Sequence, residues 1–230
     1  SGEERFVIVS FDICGFCEEL VRRLKWYIST TCSLPEERVA ICATHTHAGP
    51  ACGLLGDLPI NYLYWNMVGE KAGLAAAEAF QNAKPGQFAF ALGGELTSSF
   101  NRRGASFIDR SVRAGAFYGE DGTLLGVLAT AACHAVIHTD MGISADYLGS
   151  FYKLAAQRWP GVPALFLQGR GADIDPYFEQ NLSFNEKCDQ LGGELASAVF
   201  AAVEAAGRPG GEQTFQTALD WVEVPMSYPA

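Results

Sequence analysis

The chain has 230 residues, 49% apolar and 18% charged, a composition that builds a globular core and excludes an intrinsically disordered chain. With 16 Lys and Arg against 26 Asp and Glu the formal charge is −10, which argues against a nucleic-acid backbone or an anionic membrane surface as a broad partner. No apolar run reaches the roughly 18 residues of a membrane span, so no transmembrane segment is expected.

In chain order, Phe6–Phe11 reads as a buried strand, and Glu18–Ile28 as a helix with Leu20, Val21, Leu24 and Ile28 at helical spacing. Pro35-Glu36-Glu37 reads as a turn or short helical start, Val39–Ala43 as a second buried strand, and Tyr62–Phe80 as a helix before the breaker Lys84-Pro85-Gly86. Strands are expected over Gln87–Leu92, Ser111–Tyr118 and Leu124–Ala132, the last two joined by the hairpin signal Glu120-Asp121-Gly122. A helix over Tyr147–Trp159, a short strand over Pro163–Leu167 and an alanine-rich helix over Phe184–Ala206 follow. A final strand is expected at Phe215–Val224. Alternating strands and helices imply an α/β fold, a mixed sheet with helices packed on its faces. No repeat or Pro/Gly/Ser linker divides residues 1–230, so a single domain is expected. The chain opens without a signal peptide and enters a strand within six residues, and it stops just after another strand. A fragment of a longer chain is therefore expected, which leaves cytoplasmic and secreted locations open.

The seven cysteines are odd in number, and several lie inside apolar runs, so buried free thiols are expected rather than a disulfide framework. Cys14-Gly15-Phe16-Cys17 lies between a strand and a helix, as a thioredoxin-type motif does. A thiol–disulfide redox protein is one alternative reading.

All four histidines fall in two windows, Thr44-His45-Thr46-His47 and His134-Ala135-Val136-Ile137-His138. Each window follows an apolar strand, the edge where α/β sheets build their sites. His45 and His47, two residues apart, share a face of an extended chain, and paired imidazoles suit zinc. His138 reads equally well as a surface residue. Three further segments are polar. Asn101-Arg102-Arg103 reads as an anion or carbonyl clamp, or as a solvated loop. Asp146, in Ser144-Ala145-Asp146-Tyr147, reads as a site residue or as a helix N-cap. Gly169–Pro176 reads as a ligand-approaching loop with Asp173 and Asp175, or as an ordinary tight loop.

Together these segments resemble the neutral/alkaline non-lysosomal ceramidase family. Thr44-His45-Thr46-His47-Ala48-Gly49-Pro50 is similar to its T-H-T-H-[SA]-G-P signature, and Asn101-Arg102 to its N-R segment. His134 resembles its second metal histidine, and Ser144–Gly149 its S-[AG]-D-x-x-G stretch. Phe166–Pro176, with Gln168, resembles its F-x-Q-x-x-x-G-D-[IV]-[SN]-P loop. The segments keep the family order over residues 44–176, and the strand at Phe6–Asp12 fits as well.

The resemblance implies a Zn2+-dependent amidase cleaving the N-acyl bond of ceramide-like lipids. It implies His45 and His134 as metal ligands and His47, Arg102 and Asp173 as catalytic residues. Asn101, Asp146, Gln168 and Asp175 are the implied substrate-binding residues. Zinc lowers the pKa of water to about 7 and so supplies hydroxide for attack on an amide carbonyl. Two departures stand out. Ceramidases carry a Ser, with an assigned catalytic role, where this chain has Asp175, and the loop's Gly-Asp is Ala172-Asp173. The family's remaining zinc ligands, a Glu and a Tyr further toward the C-terminus, have no match here. A non-catalytic ligand-binding member is the second alternative reading. Leu54, Leu55, Leu58, Ile60 and Tyr62–Trp65 are apolar candidates for a lipid groove, or ordinary core.

Overall fold

The computed structural model describes residues 5–53, 59–140, 142–179 and 181–207. The strand expected at 215–224 and the groove candidates Leu54, Leu55 and Leu58 lie outside them.

The chain opens with a β-α-β unit. Strands β1 (Val7–Phe11) and β2 (Val39–Ala43) pair in parallel, Val7 opposite Val39 and Phe11 opposite Ala43. Parallel pairing needs a crossover, and helix α1 (Glu18–Cys32) supplies it. Its Leu20, Leu24 and Ile28 are fully buried at four-residue spacing, the apolar stripe the sequence predicts. Ser33 ends the helix in the left-handed conformation, φ 52°, and a short 3-10 turn at Glu36–Arg38 leads into β2. Helix α2 (Tyr62–Gln81) is capped by the Asn61 side chain, which accepts from Tyr64 N at 3.1 Å. It lies on α1 through Gly69, Ala72, Gly73 and Ala76. Trp65 is core, with its indole N–H donating to Ala51 O at 2.9 Å, whereas its neighbour Leu63 is 83% exposed.

The remaining large sheet has the order β3-β5-β6-β7. It is built from β3 (Gly86–Glu95), β5 (Ser111–Gly119), β6 (Leu124–Ala131) and β7 (Ala164–Gln168). Strands β3, β5 and β6 are antiparallel, and β6 and β7 are parallel. The β5–β6 turn closes where Glu120-Asp121-Gly122 predicts it: Gly119 N donates to Thr123 O, and Asp121 accepts from Thr123 N. Helices α3 (Tyr147–Arg158) and α4 (Phe184–Ala206) cover one face. Alanines 114, 116, 129 and 131 keep that face flat, and Leu191, Leu195 and Val199 of α4 pack into it fully buried. A Cβ at Gly93 would lie 1.8 Å from Ala198 O, so this contact between β3 and α4 admits only glycine.

Two short strands, β4 (Ser99–Asn101) and β8 (Ile174–Pro176), form a separate antiparallel ribbon, with Asn101 opposite Ile174. The expected α/β architecture is present, with mixed strands and helical cover. Val7, Val9 and Phe11 of β1 join the core cluster that includes Ala72 and Ala76 of α2. Ser10 and Asp12 instead line a cavity of about 420 Å³ with Tyr152 and Ala156 of α3. Among the described residues no helix is long and apolar enough to cross a membrane, and all seven cysteines are free.

Candidate metal centre

The site forms at the C-terminal ends of β2 and β6, beside the β4–β8 ribbon. The alternation in Thr44-His45-Thr46-His47 divides labour between buried and site-facing residues. Thr44 and Thr46 are buried, Thr44 donating to Asp12 Oδ1 at 3.0 Å and Thr46 to Ser144 O at 2.8 Å. They pin the loop, and the alternating histidines turn the other way. His45 holds a left-handed backbone, φ 68°, and its N–H donates to Ile13 O at 2.9 Å. A non-glycine residue there is strained by about 1–3 kcal/mol, a cost that surrounding contacts must hold in place. His47 N donates to Ala135 O, and His134 N donates to Ile174 O, so the end of β6 is clamped from both sides.

Three imidazoles converge. His45 Nε2 is 3.0 Å from His134 Nε2 and 3.4 Å from His47 Nε2. A tetrahedral zinc with Zn–N bonds of 2.0–2.1 Å separates its nitrogens by about 3.3 Å, between these two distances. The opposite nitrogens are oriented by further groups. His45 Nδ1 bonds Cys14 O, and His134 Nδ1 lies 3.4 Å from Asp175 Oδ1. A backbone carbonyl on one ring and a carboxylate on another are the partners that aim metal-binding histidines. His134 is 4% exposed, and His47 stands at the surface.

The electrostatics favour neutral rings at His47 and His134. Burial lowers the pKa of His47, as do His45, His134 and Arg102, with Asp175 opposing. Burial likewise lowers His134, helped by His45 and Arg102 and opposed by Asp175. Neutral imidazole is the form that binds a cation. The donor set and the ring orientation therefore fit zinc. His134 Nδ1 and Asp175 Oδ1 are both buried without a hydrogen bond, at ion-pair distance from each other.

The sequence-predicted residues divide into groups. His45, His47, His134, Asp175 and Arg102 come together, with Arg102 Nη1 3.7 Å from Asp175 Oδ1 and its Nη2 donating to Ala172 O at 2.6 Å. Asn101 donates to Asp173 at 2.7 Å, and Arg102 N donates to Asp173 O, so this pair holds the arginine's backbone. Asp146 turns to the backbone: its oxygens accept from His138 N and Tyr147 N, the N-cap alternative of the sequence reading. Gln168 donates to Cys133 O, next to His134. His138 lies in the loop after β6, its Nδ1 3.3 Å from Asp140 and its ring on Phe184, apart from the other three. Cys14 lies beside two of the three: its thiol and donor atoms of His45 and His47 lie within 4.8 Å of one another, a group that does not take in His134. It follows β1, the parallel neighbour of β2, so the sheet edge that carries His45 carries it too. Burial pushes its thiol up, against the lowered pKa of a thioredoxin-type cysteine.

No family model matches the chain, and no curated protein matches it significantly by sequence. Among solved structures it is similar to neutral ceramidase from Pseudomonas aeruginosa, with a TM-score of 0.76 and 19% identity over 90% of this chain. A second, described as a ceramidase complexed with C2, gives 0.74 and 20% over 88%. The chain spans 38% and 36% of those proteins' lengths, well under half. The histidine-bearing unit thus has the α/β fold of the corresponding part of these ceramidases.

Proposed function

We propose that the chain is the zinc-binding part of a ceramidase-like hydrolase that cleaves the N-acyl amide bond of a ceramide-like lipid. The convergence of three imidazole nitrogens at 3.0 and 3.4 Å carries the reading. The ceramidase-like motif order and the shared fold support it. Zinc bound by His45 and His134 supplies Lewis acidity and acidifies water. Arg102 donates its planar fork to the oxygen that gains charge as the amide carbonyl is attacked. His47, neutral and at the surface, moves the proton to the leaving amine nitrogen. Asp173 acts on this reading through the Arg102 backbone. Asp175 keeps the His134 ring turned so that Nε2 faces the cluster. An apolar rim suits the acyl chain: Ile143, 85% exposed, is held beside the His47 loop by the Ser144 N–Ala48 O hydrogen bond.

Metal analysis of the protein is expected to give about one zinc per chain, lost in the His45→Ala/His134→Ala double variant. Zinc content unchanged by both substitutions would overturn the reading. Asp175→Asn keeps the shape but removes the charge behind His134, and zinc affinity is expected to fall ~10–100-fold by competition with a chromophoric chelator. Asp175 also favours a second reading, a member that binds its ligand without turnover, because ceramidases carry a catalytic Ser there. Zinc binding with no release of fatty acid from ceramide would select that reading.

A further inference from the structure

We infer that Cys14 is a metal ligand, so that the centre combines a thiolate with imidazoles. The inference rests on the reading of the histidine cluster as a metal centre and goes beyond its two-histidine form. The thiol lies within 4.8 Å of the donor atoms of His45 and His47, and the residue is 8% exposed. Two other buried cysteines, Cys32 and Cys133, give their thiols to the carbonyls of Gly73 and His134. The Cys14 thiol makes no such hydrogen bond among the described residues and instead adjoins imidazoles.

Its backbone is fixed to the same purpose. Cys14 O holds His45 Nδ1, which sets the ring that shares the metal. Across a tetrahedral zinc, with Zn–S about 2.3 Å and Zn–N about 2.05 Å, sulfur and nitrogen stand about 3.6 Å apart. The 4.8 Å bound exceeds this by about 1 Å, within reach of a side-chain adjustment at Cys14. On binding, the metal–sulfur bond forms and the thiol proton leaves to solvent. A thiolate with imidazoles is a soft to borderline donor set. It selects zinc or cobalt over magnesium and manganese, which prefer oxygen.

Cobalt(II) added to the metal-stripped 230-residue chain reads the ligands directly. The expected result is a visible tetrahedral spectrum together with a near-ultraviolet thiolate-to-metal charge-transfer band. Cys14→Ser is expected to remove the charge-transfer band and weaken binding by more than the ~10–100-fold of an orienting partner, while Cys52→Ser leaves both bands in place. X-ray absorption of the zinc-loaded wild-type chain, which needs no variant to fold, is expected to show a sulfur neighbour at about 2.3 Å. A visible spectrum that depends on His45 but has no charge-transfer band and no sulfur neighbour would overturn the role of Cys14 and leave the histidine centre standing. No cobalt binding at all would overturn both.

Discussion

If the chain hydrolyses ceramide as proposed, replacing Arg102 by alanine is expected to lower kcat by about 10²–10³, with a smaller change in KM. That is the loss typical when one oxyanion donor is removed, about 2.7–4 kcal/mol. Several contacts make Arg102 the donor to watch. Its backbone is fixed by Asp173 O, one guanidinium nitrogen is fixed by Ala172 O, and the other end lies 3.7 Å from Asp175. The fork is thus held before substrate arrives, and no ordering is needed as charge develops. Arg102→Lys keeps the charge but loses the planar fork, so it is expected to recover only part of the rate. Zinc affinity should stay near wild type, because Arg102 is not a ligand. A variant with unchanged kcat would remove Arg102 from the chemistry.

Phe166→Ala is expected to cost about 3–5 kcal/mol of stability, read as a lower urea midpoint at constant slope. Phe166 is fully buried in β7, opposite Ala129 of β6. Its ring meets Tyr147 and Phe151 of α3 edge-on, each at 6.5 Å between centroids. Small alanines opposite it offer little to collapse into the space left behind. A domain of ordinary stability holds about 5–15 kcal/mol, so this single truncation removes a large share. A loss under about 1 kcal/mol would show that the core closes around the gap and that the packing is looser than these contacts imply.

The long elements were legible because their patterns repeat. Leu20, Leu24 and Ile28 mark α1 by period alone, and the apolar runs of β1, β2 and β7 are too short to be helices. The ribbon of β4 and β8 was not legible: three residues each give no period, and their partner is about 73 residues away. Yet that ribbon brings Arg102 to Asp175. The sequence marked both as site residues without showing their pairing with each other or the approach of Asp175 to His134. The loop glycines signalled a close approach but not its target. A Cβ at Gly171 would lie 3.0 Å from Cys133 N, so the approach is to the chain's own backbone beside His134. Asp146 shows the opposite case. Its N-cap reading came from its place before a predicted helix, but its φ of 58° and the bond to His138 N are tertiary facts. Cys14 was read with Cys17 because sequence shows neighbours in the chain, whereas the fold sets it beside His45.

The strained loop that carries His45 also lies on a seam. β1 and β2 form a sheet separate from β3-β5-β6-β7, and among the described residues no ladder joins β1 to β7. The seam is crossed instead by single bonds: Ser10 Oγ to Phe166 O, His47 N to Ala135 O and Ser144 N to Ala48 O. Cys14, His45 and His47 stand on one side of it, His134 and Asp175 on the other. A cation gripped from both sides would be a rivet between the two sheets. At a concentration 100 times its dissociation constant it would add about 2.7 kcal/mol against their parting. The chemistry of the centre and the mechanical unity of the domain would then rise and fall together with metal supply.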